Sequence, residues 1–376
     1  MKRPRAVAWV FPTIVLALLI IGLPLVALTE TGAERSIKQR LGIVGKDCVP
    51  TTAASPGWRV ANHLPVGRDD THAVTLDGKI YLAGGITAIT RTTQRPGKKE
   101  LRAVASLRSF TRFDPRTGRY TDMAPLPEPL NHVGVVTYRG DIYVVGGHGK
   151  LLDGEDPKAG LYRYSVDENR WTRLASMPTA RGAAATGVVD GRLYVAGGMV
   201  AGQALTTVEA YDFRQGRWLR VADLPAPREH VASAVVGGRF YVIGGRNRWT
   251  DALRDVTRYD PRRNRWERVA DLPVHAGGLD AARLGDQIIV MGGGNDRAHT
   301  ITGAVQRFDP RSGRWTELAP MRTARSGMAV AAADGTIYSF GGFACAIPYQ
   351  VTDLVEAFRP PDEGRNGKPT SPATRP

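Results

Sequence analysis

Residues 181–219 read RGAAATGVVDGRLYVAGGMVAGQALTTVEAYDFRQGRWL, and this stretch decides the fold. It holds a small apolar run, a turn at Asp190-Gly191, a β-rich segment that ends in Gly197-Gly198, the aromatic-acid pair Tyr211-Asp212, and Trp218. Asp and Gly tolerate the positive φ that a two-residue hairpin turn requires. The stretch therefore predicts four short antiparallel strands.

The same pattern recurs six times, with a period of about fifty residues. Its double glycines stand at Gly84–Gly85, Gly146–Gly147, Gly197–Gly198, Gly244–Gly245, Gly292–Gly293 and Gly341–Gly342. Its aromatic residue at the start of the fourth strand is Tyr120, Trp171, Trp218, Trp266 or Trp315. Four short strands repeated in this way are typical of the blades of a β-propeller.

These units resemble kelch repeats in their paired glycines, their Tyr/Phe-Asp pair and their Trp at matching spacing. The resemblance covers residues 58–360 and implies an all-β, six-bladed kelch β-propeller of the galactose oxidase-like superfamily, of the exported bacterial type. Because one fold serves many functions, this resemblance indicates the fold but not the function.

The sixth unit has a third strand at Val355–Phe358 but no Trp strand after it. The repeat region instead begins with a lone fourth strand around Trp58. We expect this N-terminal strand to complete the last blade and close the ring, which removes an open sheet edge.

Residues 1–28 predict one N-terminal transmembrane or signal helix. A basic start, MKRPR, precedes 23 uncharged residues at 6–28, more than the ~20 that span a bilayer. Basic residues that flank a membrane span usually remain on the cytoplasmic side. We therefore expect a single-pass signal-anchor in the cell membrane, with the propeller outside the cytoplasm. The alternative is a signal peptide cleaved near residues 31–33, which would give a secreted protein.

Two further segments carry no repeat. Residues 29–57 are interpreted as a stalk, and residues 361–376, rich in Pro and Gly, as a disordered tail. The cysteines, Cys48 and Cys345, flank the predicted join of the ring. Because export permits disulfides, we expect a Cys48–Cys345 bridge; the alternative is two free thiols.

The net charge is 51 − 36 = +15, which favours anionic partners such as a phospholipid surface or an anionic polysaccharide. Nucleic acid is excluded by the predicted location and by the lack of any recognition motif. We expect a monomeric propeller. Many arginines fall in turns and predict a solvated basic belt, namely Arg116, Arg119, Arg214, Arg217, Arg262, Arg263, Arg265, Arg311 and Arg314.

The candidate binding face carries the connections between second and third strands, of which 86–107 and 148–160 are the longest. Sixteen residues before four double glycines stand Arg68, Arg181, Arg228 and Arg325. We expect their guanidiniums to converge on the channel mouth and bind an anion bidentately. The alternative is a structural role, with each arginine paired to an acid or a backbone carbonyl. The other ligand-binding candidates are Asn131, His132, Arg246, Asn247, Asn295 and Arg297.

Two functions stay open. The first is a non-catalytic binding module for an anionic carbohydrate or a protein. The second is a sugar isomerase similar to the kelch proteins that epimerise sialic acid (N-acetylneuraminate), with Glu229 and His230 as weak candidates for the acid and base. The histidines are scattered and no metal-ligand spacing is present, so neither a metal nor a cofactor is expected, and a copper oxidase is disfavoured.

Overall fold

The computed structural model describes residues 55–92, 99–149, 156–247, 252–295, 300–344 and 351–361, and all regular structure in these ranges is β-strand. The predicted N-terminal helix, most of the stalk, both cysteines, Arg297 and the end of the tail lie outside the described residues.

Thirty strands, numbered in chain order, are described: β1 (Trp58–His63), β2 (His72–Leu76), β3 (Lys79–Ala83), β4 (Ile86–Thr92), β5 (Lys99–Ser106), β6 (Phe110–Asp114), β7 (Arg119–Asp122), β8 (Gly134–Tyr138), β9 (Asp141–Val145), β10 (Leu161–Ser165), β11 (Arg170–Arg173), β12 (Ala185–Val189), β13 (Arg192–Ala196), β14 (Met199–Val200), β15 (Gln203–Ala204), β16 (Val208–Asp212), β17 (Arg217–Arg220), β18 (Ala232–Val236), β19 (Arg239–Ile243), β20 (Val256–Asp260), β21 (Arg265–Arg268), β22 (Asp280–Leu284), β23 (Gln287–Met291), β24 (Gly294–Asn295), β25 (Thr300–Ile301), β26 (Val305–Asp309), β27 (Arg314–Leu318), β28 (Ala329–Ala333), β29 (Thr336–Phe340) and β30 (Leu354–Phe358).

The strands form six four-stranded antiparallel sheets, which are the blades of a β-propeller. From the inner to the outer strand they are β2-β3-β6-β7, β8-β9-β10-β11, β12-β13-β16-β17, β18-β19-β20-β21, β22-β23-β26-β27 and β28-β29-β30-β1. Three two-stranded hairpins, β4-β5, β14-β15 and β24-β25, are inserted between second and third strands. The prediction of an all-β, six-bladed propeller is confirmed.

The outer strand of the sixth blade comes from the start of the repeat region. β1 pairs antiparallel with β30, and Trp58 lies opposite Phe358. The two rings stack with centroids 4.9 Å apart. The sixth blade is therefore composite, with β28 to β30 from one end of the repeat region and β1 from the other.

Each blade contributes an aromatic residue that ties its outer strand to the blade before it. In five blades this residue is Trp, and its indole N–H donates to an alanine carbonyl just after the preceding outer strand. The pairs are Trp171–Ala124, Trp218–Ala175, Trp266–Ala222 at 2.8 Å, and Trp315–Ala270 and Trp58–Ala319 at 2.9 Å. The tryptophans are thus framework residues, as their repetition predicts.

The apolar core of the described residues is divided among the gaps between blades. In one such cluster, Tyr194 of the third blade packs with Phe240 and Trp266 of the fourth. The inner strands instead carry small residues, such as Ala232 and Ala234, because six of them surround one channel of about 340 Å³.

The double glycines allow two blades to approach closely. Both glycines have positive φ in every blade. The second donates its N–H to the carbonyl of the residue that begins the next blade, as from Gly147 to Arg181 at 2.9 Å. A Cβ on Gly147 would lie 2.6 Å from the carbonyl oxygen of Asn131. Only glycine fits there, and the contact fixes where the chain starts each inner strand.

Candidate functional site at the channel mouth

Six equivalent residues, one from each blade, surround the channel where the chain approaches the inner strands. We call them the mouth ring: Asp70, His132, Ala183, His230, Gly278 and Gly327. All six have positive φ, between 47° for Asp70 and 66° for the glycines. This left-handed conformation is uncommon for a residue with a Cβ, so a strong local constraint must hold it.

The constraint is a closed circle of backbone hydrogen bonds. Each mouth-ring N–H donates to the carbonyl of the mouth-ring residue in the preceding blade, at 2.9 to 3.0 Å. The first blade takes part in the same way, because Asp70 donates to Gly327 at 2.9 Å. Every backbone N–H at the narrowest point of the channel is therefore satisfied between blades.

The mouth is narrow. The cavity there has a volume of about 20 Å³ and is lined mainly by mouth-ring residues together with His72, Leu279 and Asp280. A volume of that size holds about one water molecule or one ion. A sugar ring would not enter the channel axis at this point.

Two histidines and an aspartate face one another across the mouth. Nε2 of His132 lies 2.8 Å from Nε2 of His230 and 3.0 Å from Oδ2 of Asp70. The ligand atoms of these three residues all lie within 4.8 Å of one another, a spacing that could hold a metal ion. They come from the first, second and fourth blades, so only the closed propeller brings them together.

The outward-facing nitrogen of each histidine is held by the residue before it. Nδ1 of His132 contacts Oδ1 of Asn131 at 2.5 Å, and Nδ1 of His230 contacts Oε2 of Glu229. The other oxygen of Glu229 accepts a hydrogen bond from Nε of Arg246 at 2.7 Å. Because both partners of Nδ1 are acceptors, Nδ1 carries the proton in each ring, and both Nε2 lone pairs point into the mouth.

Burial sets the protonation of these groups. Desolvation lowers the pKa of His132 to about 3 and holds that of His230 well below its ordinary value, with a further lowering from the charge of Arg246. Desolvation raises the pKa of Asp70 to about 7, against a smaller opposing effect of Arg246. The two imidazoles are therefore neutral at physiological pH.

The four arginines do not line the mouth, which corrects the expectation that their guanidiniums converge there. Arg68, Arg181, Arg228 and Arg325 are among the largest fully buried side chains of the described residues. Nη1 of Arg325 donates to the carbonyls of Gly341 and Leu354 at 2.7 and 2.9 Å. Its Nη2 donates to Oε2 of Glu356 at 2.9 Å.

The physical reason is that the guanidiniums of three of them turn into their own blades, where carbonyl oxygens between the second and third strands accept their hydrogen bonds. Arg181 forms the same bonds, to Thr207 at 2.7 Å and to Glu209. Arg228 reaches the carbonyl of Asp255 at 3.0 Å. The structural alternative thus describes Arg181, Arg228 and Arg325. Arg68 is equally buried, but its Nε and Nη1 have no hydrogen-bond partner.

The remaining predicted residues fall into three groups. Asn131, His132, Glu229, His230 and Arg246 are brought together at the mouth. Asn247 is exposed, and Nδ2 of Asn295 lies 3.4 Å from Nε2 of His275. Arg297 lies outside the described residues.

Sequence reasoning did not select Asp70 or His148. His148 is buried, and its ring meets that of His132 edge-on, with centroids 5.7 Å apart. Asp70 could have been found, because it occupies the repeat position that holds His132 and His230 in other blades. The signal was that three of six equivalent positions carry a side chain able to ligate a metal.

The exposed arginines lie at the other end of the blades. Along β16, Val208 pairs with Ala196 near the mouth, and Asp212 pairs with Arg192 at the far end. The turns between third and fourth strands therefore face away from the mouth. All nine arginines predicted to form a basic belt are exposed there.

None of the described residues belongs to a helix long and apolar enough to cross a bilayer.

Comparison with known proteins agrees with the geometry. A solved structure described as "Structure of YjhT" superposes with a TM-score of 0.64, covering 79% of this chain and 96% of that one, at 17% identity. That likeness shows the fold alone.

Curated relatives match part of the repeat region. Kelch-like protein terF of Aspergillus terreus is 29% identical over 166 residues, which is 42% of this chain and 34% of terF. Kelch-like protein 25 of Xenopus tropicalis is 30% identical over 45% of this chain and 27% of its own length. Kelch-like ECH-associated protein 1A of Danio rerio is 31% identical over 25% of this chain and 16% of its own length. The matches thus span about a third or less of these relatives.

The family model for the KLHDC2/KLHL20/DRC7 Kelch-repeats domain matches residues 132–342, more than half of the chain. These residues include four complete blades, their double glycines and two histidines of the mouth ring. The chain belongs to the kelch-repeat family.

Proposed function

We propose that this chain is a non-catalytic binding module whose partner, a protein, docks on the face that carries the mouth ring. The observation that carries the proposal is the unequal length of the connections at the two ends of the blades. Away from the mouth, first and second strands are joined by two residues in all six blades. Beside the mouth, second and third strands are joined by connections of unequal length, from 11 residues (197–207) in the third blade to 26 residues (84–109) in the first.

The inserted hairpins all belong to the mouth face. The longest, β4-β5, starts at Ile86, which forms a bridge with Asp69 next to the mouth ring. The equivalent bridges Gly182–Met199 and Gly277–Gly294 place β14 and β24 beside the ring as well. A rigid ring that presents varied connections on one side is the usual arrangement of a recognition surface.

Relatives offer a precedent for a protein partner. Kelch propellers commonly act as protein-interaction modules, and the relative from Danio rerio is named for its association with ECH.

The sugar-isomerase alternative has less support from the geometry. Glu229, the candidate acid, is 3% exposed and engaged with both Arg246 and His230. The adjoining cavity of about 20 Å³ is too small for a sugar acid. An epimerase site would need a base and an acid on either side of a bound ring.

A second candidate function uses the opposite end of the blades. The nine exposed turn arginines and the net charge of +15 favour an anionic polysaccharide as a ligand there. A sulfated polysaccharide column tests this candidate. The variant Arg262→Gln/Arg263→Gln/Arg265→Gln should elute at lower salt than the native chain, and unchanged elution would contradict it.

We also propose, from the sequence, that residues 6–28 anchor the chain in the cell membrane with the propeller outside. Extraction of membranes at alkaline pH releases a secreted or peripheral chain but retains an anchored one.

We further propose, from the sequence, that Cys48 and Cys345 form a disulfide. Mass measurement of the exported chain with and without reduction distinguishes a bridge from two thiols.

The docking proposal is tested by exchanging one connection. In the variant, residues 86–106 are replaced by the short connection of the third blade, residues 199–205. The matched control is the Arg262→Gln/Arg263→Gln/Arg265→Gln variant, which alters the opposite face. Cross-linking to a partner protein is then measured for the three full-length chains in their native membrane.

A partner that cross-links to the native chain and the control but not to the exchanged variant supports docking at the mouth face. Equal cross-linking by all three chains would overturn it. Loss of cross-linking in the control variant alone would indicate that the partner docks on the face that carries the exposed arginines.

A further inference from the structure

Two imidazole nitrogens and one carboxylate oxygen converge at the mouth. Nε2 of His132 and Nε2 of His230 are 2.8 Å apart, and Oδ2 of Asp70 lies 3.0 Å from the first. Their side chains are only 8 to 14% exposed. Lone pairs that face one another this closely repel unless a cation or a shared proton lies among them.

The hydrogen bonds on the outer side of the rings fix which nitrogen faces the mouth. The Asn131 amide oxygen and the Glu229 carboxylate both accept a hydrogen bond from Nδ1. In each histidine, Nε2 is therefore unprotonated, and its lone pair is available to a metal ion. Histidines that bind a metal almost always give their other N–H to a carboxylate or carbonyl oxygen. Both histidines here are oriented in that way.

The dimensions suit a small transition-metal ion. Zinc bonds to His nitrogen and to carboxylate oxygen are about 2.0 to 2.2 Å long, so tetrahedral ligand atoms lie about 3.4 Å apart. The observed 2.8 and 3.0 Å require the rings to open by only a few tenths of an ångström. The adjoining cavity of about 20 Å³ leaves room for one water as a fourth ligand.

We propose that Asp70, His132 and His230 form a binding site for a divalent transition-metal ion of the zinc class at the channel mouth. Two imidazoles and one carboxylate suit Zn²⁺ or Co²⁺ better than Mg²⁺ or Ca²⁺, which prefer all-oxygen ligands. The ligands come from three blades, so the ion cross-links the first, second and fourth blades across the channel. The site lies on the face proposed for docking, but metal binding is tested without a partner, so either proposal can fail alone.

The test uses the full-length chain, stripped with a chelator and then dialysed against Zn²⁺. We expect one Zn²⁺ per chain by elemental analysis, a rise in Tm that the chelator reverses, and no competition from excess Mg²⁺. Co²⁺ in place of Zn²⁺ should give the intense visible bands of a four-coordinate ion rather than the weak bands of hydrated Co²⁺.

Two variants address the ligands. His132→Ala/His230→Ala should lose the ion, and Asp70→Asn should weaken its binding at least tenfold while keeping the size of the side chain. His63→Ala is the matched control, because His63 is exposed, lies at the end of β1 and faces an aspartate as well. It should bind Zn²⁺ as the native chain does.

Absence of stoichiometric Zn²⁺ from the native chain would overturn the proposal and leave a proton shared among the three groups. Binding that survives in His132→Ala/His230→Ala would also overturn it. If that variant fails to fold, Asp70→Asn decides, because unchanged affinity and unchanged Co²⁺ bands in that variant would contradict the site.

Discussion

At the scale of single residues, the buried arginines show how the repeat handles charge inside a blade. In the third and sixth blades the arginine meets a glutamate on the third strand, Glu209 or Glu356. In the first blade the equivalent position is Thr111, and Nε and Nη1 of Arg68 have no hydrogen-bond partner. Desolvation accordingly lowers the pKa of Arg68 to about 10.

Removing a carboxylate from such a pair is expected to be costly. Arg325 and Glu356 are both 0% exposed, so Glu356→Ala leaves a buried guanidinium without a counter-charge. We expect a loss of about 3 to 5 kcal/mol in the free energy of unfolding. Urea unfolding measures it.

The control for that prediction is an exposed pair. Arg170 and Glu168 are 69% and 58% exposed. Surface ion pairs contribute about 1 kcal/mol or less, so Glu168→Ala should hardly move the unfolding midpoint. Equal losses in the two variants would show that burial does not decide the cost.

Asp280 provides a test of pH dependence. Burial raises its pKa to about 7 from an ordinary value of 3.8. Between these values the unfolded chain has lost the proton while the folded chain keeps it, so the free energy of unfolding falls as pH rises from about 4 to about 7. Asp280→Asn removes the titrating group, so its free energy of unfolding should not show the fall between pH 5 and pH 8 that the native chain shows.

Urea midpoints at the two pH values are the measurement, and Asp334→Asn, at an exposed turn position, is the control. If the native chain and Asp280→Asn change in parallel between pH 5 and pH 8, the buried carboxyl does not titrate as argued.

The repeat predicts where a residue lies in its blade, but it does not predict which way the side chain points. The spacing to the double glycine located all four arginines correctly. Whether a guanidinium turns to the mouth or into its blade depends on carbonyls such as that of Gly341, which are exposed to it only in the folded blade. Likewise, the equivalent repeat positions of Asp70, His132 and His230 predict that they share the mouth, but the contacts among their side chains are seen only in the closed ring.

At the scale of elements, the mouth ring depends on backbone conformation more than on side chains. Gly327 has a φ of 66°, and a Cβ there would meet the carboxylate of Asp69. We therefore expect Gly327→Ala to destabilise the chain by roughly 1 to 3 kcal/mol.

The comparison position is Ala183, which already has a φ of 55° with a Cβ. Ala183→Gly relieves that conformation but makes the unfolded chain more flexible, so stability should change by less than about 1 kcal/mol. Thermal unfolding of the two variants measures the contrast. A Gly327→Ala variant as stable as Ala183→Gly would contradict it.

Strands and turns were largely predictable because their signals are local. Asp190 and Gly191 both have positive φ, as a hairpin turn of that sequence requires. The β4-β5 hairpin is different, since the sequence predicts residues 86–107 only as a long connection. Hairpins at the same place in the third and fifth blades, β14-β15 and β24-β25, have only two residues per strand, so no repeated pattern predicts the seven pairs of β4-β5.

At the scale of the whole molecule, Trp58 joins the two ends of the repeat region. It is 6% exposed, stacks on Phe358, and donates its indole N–H to Ala319. Trp58→Ala should cost roughly 3 to 5 kcal/mol in unfolding free energy.

Loss of Trp58 should also make β1 the first site of cleavage in limited proteolysis. Trp315→Ala, which removes the equivalent hydrogen bond between the fifth and fourth blades, is the control and should not direct cleavage to β1. Protection of β1 in Trp58→Ala would contradict its role as the joining residue.

The composite blade has a consequence for the timing of folding. A ribosome releases β1 before any other strand of the propeller, yet the partner of β1, β30, is the last strand of all to be made. Five blades can assemble in the order of synthesis, while Trp58 and its strand wait for the full chain. A product that stops short of residue 354 could form the first five blades, but β1 would have no partner strand. Closure of the ring therefore requires synthesis through β30.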